Sequence, residues 1–283
     1  MPVHDDLGIR MKTYYEQIPK MKLMRRTPVA IRIDGKAFHT FTRGFQKPFD
    51  EVLIKSMQKT TKYLCENIQG CVLGYTQSDE ITLILVDYKN LNSDAWFDYE
   101  VQKMCSIAAS MATMAFNQFF KEAIWDYETD WKLSLTPQSV EIQERHAKYV
   151  TVLKNAAKKG AMFDARVFNI PKEEVTNLLY WRQLDATRNS IQMVGQANFS
   201  HKELHGKSCN MIQDMLMTEK NINWNNFPTY QKRGSCCIKK LYEDTTEDES
   251  AFVVRTRWVV DTEIPIFKGE DREYIDKLIF VDE

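Results

Sequence analysis

The chain has 283 residues, of which 43% are hydrophobic and 27% are charged, close to the averages of globular proteins. This length provides one large or two small domains with an ample core and argues against wholesale disorder. No apolar run approaches the roughly 20 residues that a transmembrane helix needs, and the first residues lack a secretion signal. We therefore expect a cytoplasmic protein with no membrane partner, and its net charge of −1 predicts no bulk attraction to nucleic acid.

The six cysteines show neither a CxxC pair nor a zinc-like spacing, so we expect reduced thiols that pack as small hydrophobes. Cys236 and Cys237 are adjacent in a strand-like run, which points their side chains to opposite faces of a sheet. His201 and His205 are four residues apart, as in a zinc-binding helix. The glutamate between them is not in the HExxH position and a third ligand is not evident, which favours no zinc site.

The first half of the chain alternates apolar strands with amphipathic helices. The predicted elements are a strand over 29–34, a helix over about 50–67, strands over 70–75 and 81–86, and a helix over about 98–120. The two strands that flank residues 76–80 are close enough in sequence to form a hairpin, with Ser78 and Asp79 near its tip. Asp50 and Glu51 suit the favourable amino-terminal end of the first helix.

The second half is less regular. Residues 121–160 are mixed, with an exposed loop or helix end at 154–159, and a strand is expected over 163–168. The remaining predictions are a helix from Pro171 to about residue 194, a short helix over 208–217, an acidic loop at 243–249, a strand over 252–260 and a short helix near the end.

This order predicts an α+β fold with helices packed on a sheet. We expect one domain over residues 1–240, with an integrated helical region, and a carboxy-terminal extension over 241–283.

Two aspartates are candidates for metal-dependent chemistry. Asp34 ends the first strand and Asp79 lies at the hairpin tip, so neighbouring strands would bring both carboxylates to one edge of the sheet. With the backbone carbonyl of Gly35 they would supply the hard oxygen ligands that Mg²⁺ prefers. Two such ions can activate a hydroxyl and hold a triphosphate for in-line displacement. Aspartate is also common in ordinary turns, so these two positions alone leave both interpretations open.

Other polar residues suit a triphosphate. Lys47 lies between the first strand and helix, Ser78 adjoins Asp79, and Lys103 lies in the first turns of the second long helix. Residues 20–36 carry six basic residues against one acid. A basic run of this kind is more often a solvated face than a binding site.

The residues around the two aspartates resemble conserved blocks of the tRNA(His) guanylyltransferase family and its guanylyltransferase-like branch, which polymerises in the 3′-to-5′ direction. Six blocks carry the resemblance, in the family's order, within about residues 28–234. They are Arg32-Ile-Asp-Gly-Lys-Ala-Phe-His39, Lys47-Pro-Phe-Asp50, Gly74-Tyr-Thr-Gln-Ser-Asp-Glu80, Phe163-Asp-Ala-Arg166, Tyr180-Trp-Arg-Gln-Leu-Asp185 and Asn221-Ile-Asn-Trp-Asn-Asn226.

The resemblance implies a polymerase-like palm, that is, a central and mostly antiparallel sheet flanked by helices with a helical carboxy-terminal part. It implies a homotetramer that acts on tRNA with ATP, GTP and other nucleoside triphosphates. The implied metal site consists of Asp34, the Gly35 carbonyl and Asp79, which would hold two Mg²⁺ ions, with Glu80 supporting the catalytic pair. The implied nucleotide contacts are Gly35, Lys36, Ala37, Phe38, His39, Lys47, Asp50, Ser78 and Lys103. The implied RNA contacts are Arg32, Arg166, Arg182, Asn189 and Asn223.

One block departs from the family pattern. Guanylyltransferases that recognise the histidine anticodon follow the Trp-Arg-Gln helix with His-x-Asn-Asn-Leu-Tyr-Asn, whereas this chain has Thr187-Arg-Asn-Ser-Ile-Gln-Met193. Only Asn189 is retained. The departure favours the guanylyltransferase-like branch, which adds Watson–Crick-paired nucleotides to 5′-truncated tRNA after ATP or GTP activates the 5′ end. The alternative is addition of a single G to tRNA(His).

Two further functions fit parts of the sequence. A palm-type nucleotide cyclase would use the same aspartates, but it leaves the Trp-Arg-Gln and Asn-Ile-Asn blocks without a role. A non-catalytic RNA-binding protein with a degenerate palm predicts loss of a metal carboxylate, whereas Asp34 and Asp79 are both present. Salt-dependent RNA binding that ignores Mg²⁺ and nucleotide would support that interpretation.

Overall fold

The computed structural model describes residues 5–134, 139–245 and 252–280. The strands are β1 (Val29–Gly35), β2 (Cys71–Gln77), β3 (Glu80–Leu85), β4 (Phe163–Asn169), β5 (Ser235–Thr245) and β6 (Phe252–Asp261). The helices are α1 (Asp6–Met11), α2 (Phe38–Phe41), α3 (Glu51–Asn67), α4 (Val101–Leu133), α5 (Val140–Lys159), α6 (Lys172–Asn198), α7 (His201–Leu204), α8 (Cys209–Lys220), α9 (Thr229–Arg233) and α10 (Glu273–Ile279). Short turns of other helix types are Lys12–Glu16, Trp96–Tyr99, Trp224–Asn226 and Gly269–Arg272.

The six strands form one antiparallel sheet in the order β4-β1-β3-β2-β5-β6. Strand β1 lies inside the sheet between β3 and β4, and Val29, Ala30 and Ile31 at its start are fully buried. A strand that is apolar on both faces must be covered on both sides, and helices cover it here. The predicted α+β fold with a mostly antiparallel central sheet is confirmed.

Each face of the sheet carries its own core. Ile31 and Ile33 point to the face covered by α3, α4 and α5, whereas Ala30 points to the face covered by α6 and α10. The adjacent cysteines divide in the same way, Cys237 on the first face and Cys236 on the second, because successive strand residues alternate. Each fully buried aliphatic side chain contributes about 1.5–3 kcal/mol, so both faces hold the sheet rigid beneath the site.

Residues 121–160, which the sequence left undivided, form a helical hairpin. Helix α4 continues past the predicted end near residue 120 because Ala123 and Ile124 extend its buried stripe. Helix α5 buries Tyr149, Val150 and Leu153 on one side, while its other side is exposed and charged. The loop or helix end expected at 154–159 is the last turn and a half of α5.

Helix α6 also runs beyond its predicted end near residue 194. Gly195 lies inside this helix, and a Cβ placed there would come 2.8 Å from Cγ2 of Ile212 on α8. This glycine therefore permits close packing of two helices rather than ending one.

The boundary predicted between residues 240 and 241 falls inside β5, which pairs with β2 on one side and β6 on the other. Residues 252–280 complete the sheet and pack α10 against it, where the Tyr88 hydroxyl donates to the carbonyl oxygen of Ile279 at 2.9 Å. The extension is thus continuous with the main domain. The acidic loop predicted at 243–249 begins within β5, and residues 246–251 lie outside the described residues. Among the helices described, none has the length and hydropathy of a membrane span.

Candidate active site

Asp34 and Asp79 meet at the same end of the central strands. Asp34 pairs with Glu80 across the β1–β3 ladder, and the backbone N–H of Gly35 donates to the carbonyl oxygen of Asp79 at 3.1 Å. The turn between β2 and β3 consists of Ser78 and Asp79 alone, with Ser78 in the left-handed conformation at φ 51°. The hairpin predicted from the sequence thus brings the two carboxylates together.

The electrostatics of this pair favour a bound cation. Burial raises the pKa of the Asp79 carboxyl; the hydrogen bond from Ser78, 3.0 Å from Oγ to Oδ1, lowers it, while Asp34 and Glu80 raise it further. Among the described residues, the Asp34 carboxylate takes part in no hydrogen bond or ion pair. Neighbouring carboxylates with no paired cation repel each other, and a metal ion removes that repulsion.

The donor set fits a hard divalent ion. Two carboxylates and the backbone carbonyl of Gly35 supply oxygen alone, which suits Mg²⁺ and leaves coordination positions for water and phosphate oxygens. In the part of the chain that the structure describes, no group of three or more His, Cys, Asp and Glu side chains is gathered to hold a metal.

An open cleft with a volume of about 530 Å³ extends from the two aspartates towards α2 and α3, a volume suited to a nucleoside triphosphate. Predicted site residues that line it are Asp34, Gly35, Ala37, Phe38, His39, Lys47, Asp50, Ser78 and Asp79. The side chains of His39 and Lys47 are exposed at this cleft. The cleft therefore combines a cation-binding end with a lysine and a histidine that can donate hydrogen bonds to a polyphosphate.

The tight turn after β1 shapes the floor of the cleft. Ala37 adopts the left-handed conformation at φ 53°, and the ring of Phe38 folds back beneath Gly35. A Cβ on Gly35 would come 2.2 Å from Cδ2 of Phe38, whose ring packs against Phe116 and Phe163 at centroid distances of 5.6 and 5.3 Å. Only glycine fits there, which leaves its backbone open to an approaching ligand.

Asp50 holds the opposite wall of the cleft in place. Its Oδ1 accepts from the backbone N–H of Leu53 at 3.0 Å as the amino-terminal cap of α3, and its Oδ2 accepts from Gln46 N–H at 3.0 Å. The hydroxyl of Tyr149 also donates to Oδ2 at 2.6 Å. The carboxylate is only 5% exposed. Asp50 therefore has a positioning role in the structure, distinct from the direct nucleotide contact implied by the resemblance.

Glu80 lies outside the cleft, with its carboxylate engaged by two arginines. Arg182 Nη1 donates to Oε2 at 2.8 Å, and Arg32 Nη2 lies 3.2 Å from Oε1. The side chain of Arg182 is 7% exposed and that of Arg32 is 20% exposed. Both arginines therefore contact Glu80 within the chain, whereas the resemblance implied that they contact RNA. Glu80 itself lies behind the hairpin turn, in a position that can support it.

Lys103 lies away from this cleft within the chain. The Thr113 hydroxyl accepts from the backbone N–H of Phe163, which pairs with Gly35, so α4 passes the site near Thr113. Ten helical residues, about 15 Å, separate Thr113 from Lys103. The Lys103 amine lies over the ring of Phe97, 4.8 Å from its centroid. The predicted phosphate contact is therefore not made by this residue within a single chain in this conformation.

The remaining predicted residues surround the cleft. Lys36 is exposed but does not line it, and Arg166 is 62% exposed on β4, with its Nη2 3.6 Å from Asp164. Asn189 lines a small adjoining pocket of about 80 Å³. Asn223 is exposed and caps the turn Trp224–Asn226 through its Oδ1. Arg166 and Asn223 thus remain accessible to a large partner.

Sequence reasoning missed several side chains that shape the cleft, and Met193 and Tyr149 are the most distant in sequence from its predicted residues. Met193 from α6 lines both the cleft and the adjoining pocket, and Tyr149 from α5 fixes Asp50. Neither position carries a local pattern that distinguishes it from an ordinary core residue. The apolar spacing of Tyr149, Val150, Leu153 and Ala156 would have predicted α5 itself.

Comparison with known proteins agrees with this geometry. The family model described as tRNAHis guanylyltransferase matches residues 9–171, more than half of the chain. A bacterial tRNA(His) guanylyltransferase (Thg1)-like protein in complex with ATP is 41% identical, covers 98% of this chain and 100% of its own, and superposes with a TM-score of 0.78. The complex of such a bacterial protein with GTP is 37% identical over 97% and 99% of the two chains, with a TM-score of 0.72.

A protein of Dictyostelium discoideum described as a probable tRNA(His) guanylyltransferase is 25% identical over 269 residues, which cover 90% of this chain and 92% of its own length. Together with these matches, the α+β fold with two carboxylates at a strand edge and an open cleft beside them identifies the chain as a nucleotidyltransferase. The chain belongs to the tRNA(His) guanylyltransferase family.

Proposed function

We propose that this nucleotidyltransferase adds nucleotides to the 5′ end of tRNA in the 3′-to-5′ direction, directed by the opposing strand, and so repairs 5′-truncated tRNA. ATP or GTP would first activate the 5′-monophosphate as an adenylylated or guanylylated 5′ end, with release of pyrophosphate. The 3′-hydroxyl of an incoming nucleotide would then attack the activated 5′ phosphorus and displace AMP or GMP. The ATP and GTP complexes of the similar bacterial proteins support nucleotide use by this chain.

The observation that carries the repair proposal is the sequence of residues 187–193, which keeps only Asn189 of the anticodon-recognition block. Ser190 Oγ accepts from Trp224 Nε1 at 3.2 Å and donates to the carbonyl oxygen of Thr187 at 2.8 Å. Ile191 is 4% exposed in the same core. Ser190 and Ile191 thus anchor the segment to the core, whereas Arg188, Gln192 and Met193 are exposed. The accessible side chains of the segment therefore differ from those of the anticodon-recognition block.

In this mechanism Asp34, Asp79 and the Gly35 carbonyl would hold two Mg²⁺ ions. When bound, such ions supply charge stabilisation of the triphosphate and ready deprotonation of the attacking hydroxyl. Lys47 and His39 would bind phosphate oxygens from the open side of the cleft, and Ser78 would orient Asp79 through its 3.0 Å hydrogen bond. Asp50 would hold the opposite wall of the cleft at a fixed position relative to these groups.

The proposed partners are tRNA, ATP, GTP and other nucleoside triphosphates, and we propose a homotetramer located in the cytoplasm. Lys103 lies away from the cleft of its own chain. This position agrees with an assembly in which residues of neighbouring subunits share the nucleotide contacts. A mass measurement in solution tests the assembly directly.

The decisive experiment uses a tRNA that lacks its first 5′ nucleotide and carries a 5′-monophosphate. The protein, Mg²⁺ and ATP are incubated with each nucleoside triphosphate in turn, and the product length is measured. Extension only by the nucleotide complementary to the opposing base supports the proposal. A parallel reaction contains full-length tRNA(His). Addition of a G to that RNA, without extension of the truncated tRNA, supports the alternative, which the names of the relatives favour. Cyclised ATP or GTP without RNA extension would overturn both.

A further inference from the structure

We propose that a second cleft, between α4 and α5, binds an unpaired base of the RNA 3′ tail by aromatic stacking. This α4–α5 cleft has a volume of about 350 Å³, and its walls include Tyr127, Trp131, Ile142, Arg145, His146 and Lys148. The inference rests on the proposed function, because it requires an RNA whose 5′ end lies in the catalytic cleft.

Three rings of the α4–α5 cleft form a stacked column. Trp131 lies over His146 with a centroid distance of 3.9 Å and an interplanar angle of 12°. Tyr127 stacks on His146 with 5.3 Å and 20°. The three side chains are half-buried, so part of the column faces the cleft. Aromatic platforms of this kind bind unpaired bases with little sequence preference, since every base presents a π face.

The charge of the cleft suits a nucleic-acid backbone. Arg145 and Lys148 are exposed on its rim, and none of its lining residues in the described chain is a carboxylate. The guanidinium of Arg145 has one nearby acid, Glu141, at 3.8 Å, and the two side chains are 77% and 85% exposed. An ion pair between side chains as exposed as these contributes little stability, so Arg145 remains able to bind a phosphate.

His146 adds a polar group that lacks a partner. Its Nδ1 is buried and makes no hydrogen bond among the described residues. Burial lowers the pKa of this imidazole, with a smaller opposite effect from Glu128. The lowered pKa favours the neutral ring, which has one donor and one acceptor nitrogen. A buried polar atom without a partner costs free energy, and a small shift that brings a base edge to it would recover that cost.

The position of the cleft identifies which part of the RNA it meets. Gln46 lines both the catalytic cleft and the α4–α5 cleft, so the two are neighbours on either side of the loop before α3. In a tRNA, the strand paired with the 5′ end continues beyond it as unpaired 3′ nucleotides. In this proposal the 5′ end lies at Asp34 and Asp79, and the tail passes beside this loop. The basic side chain of Lys47 on the loop is also exposed.

The test determines whether the unpaired 3′ tail and Trp131 of the α4–α5 cleft form the same contact. The substrate is the 5′-truncated tRNA, either intact or trimmed of its unpaired 3′ nucleotides, and the enzymes are wild type and Trp131→Leu. We expect Trp131→Leu to raise the KM for intact RNA roughly tenfold, as loss of one stacked base predicts. Trimming should raise the KM of wild type by a similar factor and leave the variant unchanged, because the two changes remove the same contact.

The matched control is Trp125→Leu. Trp125 is 70% exposed on the same helix and does not line the cleft, so this variant should keep the wild-type response to trimming. An Arg145→Gln, Lys148→Gln double variant tests the same contact without touching the aromatic column, should Trp131→Leu fail to fold. Its KM for intact RNA should rise, and the effect of trimming the tail on its KM should be smaller than in wild type; an effect of trimming as large as in wild type would contradict the proposal.

A binding measurement separates this inference from the proposed function. A tRNA with 2-aminopurine at its last position loses fluorescence when that base stacks, whether or not the RNA is extended. Quenching by wild type and by Trp125→Leu, but not by Trp131→Leu, supports the subsite even if no nucleotide is added. Equal quenching by all three proteins, an equal effect of trimming on wild type and Trp131→Leu, or a rise in KM for nucleotide instead of RNA would overturn it.

Discussion

Arg182 and Glu80 form a nearly buried ion pair behind the hairpin turn that carries Asp79. The distance from Nη1 to Oε2 is 2.8 Å, and the two side chains are 7% and 12% exposed. The pair joins α6 to the first residue of β3, immediately after the predicted metal ligand. Because a buried charge is costly without its partner, the orientation of the turn depends on a helix about one hundred residues further along the chain.

Replacing Glu80 by Gln leaves Arg182 without its principal counter-ion. Breaking a buried pair from one side costs about 3–5 kcal/mol, and Asp185, 3.7 Å from the same nitrogen, offsets part of that cost. We therefore expect Glu80→Gln to lower the free energy of unfolding by about 3 kcal/mol and to reduce kcat. Urea denaturation and nucleotide-addition assays measure the two effects.

The control for this pair is Arg32→Gln. Arg32 reaches the other oxygen of Glu80 at 3.2 Å and is more exposed, at 20%, so we expect a loss of about 1 kcal/mol. A Glu80→Gln protein as stable as wild type would show that the ion pair does not support the turn.

Asp79→Asn should separate activity from stability. Burial and the nearby Asp34 raise the pKa of Asp79 in the folded state above its ordinary value of 3.8. The protonated Asp79 carboxyl stabilises the folded state, and this contribution to the free energy of unfolding is fully present below pH 3.8. The contribution is lost as the pH rises through the raised pKa of the folded state. At pH 7 without metal, the ionised carboxylate therefore opposes folding, and Asn removes the cost while still accepting from Ser78.

We expect metal-free Asp79→Asn to unfold at a higher urea concentration than wild type at pH 7, with a difference that shrinks below pH 4. Its nucleotide addition should fall by at least two orders of magnitude, the scale seen when a group that stabilises transition-state charge is removed. Asp164→Asn is the control, because Asp164 pairs with Asp34 across the β1–β4 ladder but is 59% exposed. Near-wild-type activity of Asp79→Asn would remove the metal assignment.

Much of the site could be predicted because its parts are local. The strand end at Asp34, the two-residue turn at Ser78 and the cap at Asp50 each carry a sequence pattern of a few residues. The contacts that support these parts are distant in sequence. Tyr149 is 99 residues from Asp50, and Arg182 is 102 from Glu80. No periodicity encodes such pairs, since they depend on how helices settle on the two faces of the sheet.

Gly35→Ala should disrupt the turn between β1 and α2. The added Cβ would come 2.2 Å from the Phe38 ring, which cannot move freely because Phe41, at 5.0 Å, and Phe116, at 5.6 Å, pack against it. We expect a loss of about 1–3 kcal/mol from overpacking, together with loss of nucleotide binding in a titration with Mg²⁺ and GTP.

Gly206→Ala separates this clash from backbone strain. Gly206 has φ +72° and nothing within 4 Å of a Cβ, so the substitution costs about 1–2 kcal/mol of strain and should leave nucleotide binding unchanged. If Gly35→Ala bound nucleotide like Gly206→Ala, close approach of a ligand to the Gly35 backbone would be ruled out.

Tyr149→Phe tests whether α5 positions the wall of the catalytic cleft. The variant removes the 2.6 Å hydrogen bond to Asp50 Oδ2 and leaves the buried ring in place. Hydrogen bonds to charged groups contribute about 1.5–3 kcal/mol, so the free energy of unfolding should fall by that amount. Because the loop from Gln46 to Asp50 would then be held less firmly, the KM for nucleotide should rise more than kcat falls.

Tyr63→Phe is the matched control, since within the described chain the Tyr63 hydroxyl makes no hydrogen bond and its ring packs on Phe119. If the two variants gave equal KM values, the Tyr149–Asp50 contact would be a stability feature of the fold with no part in nucleotide binding.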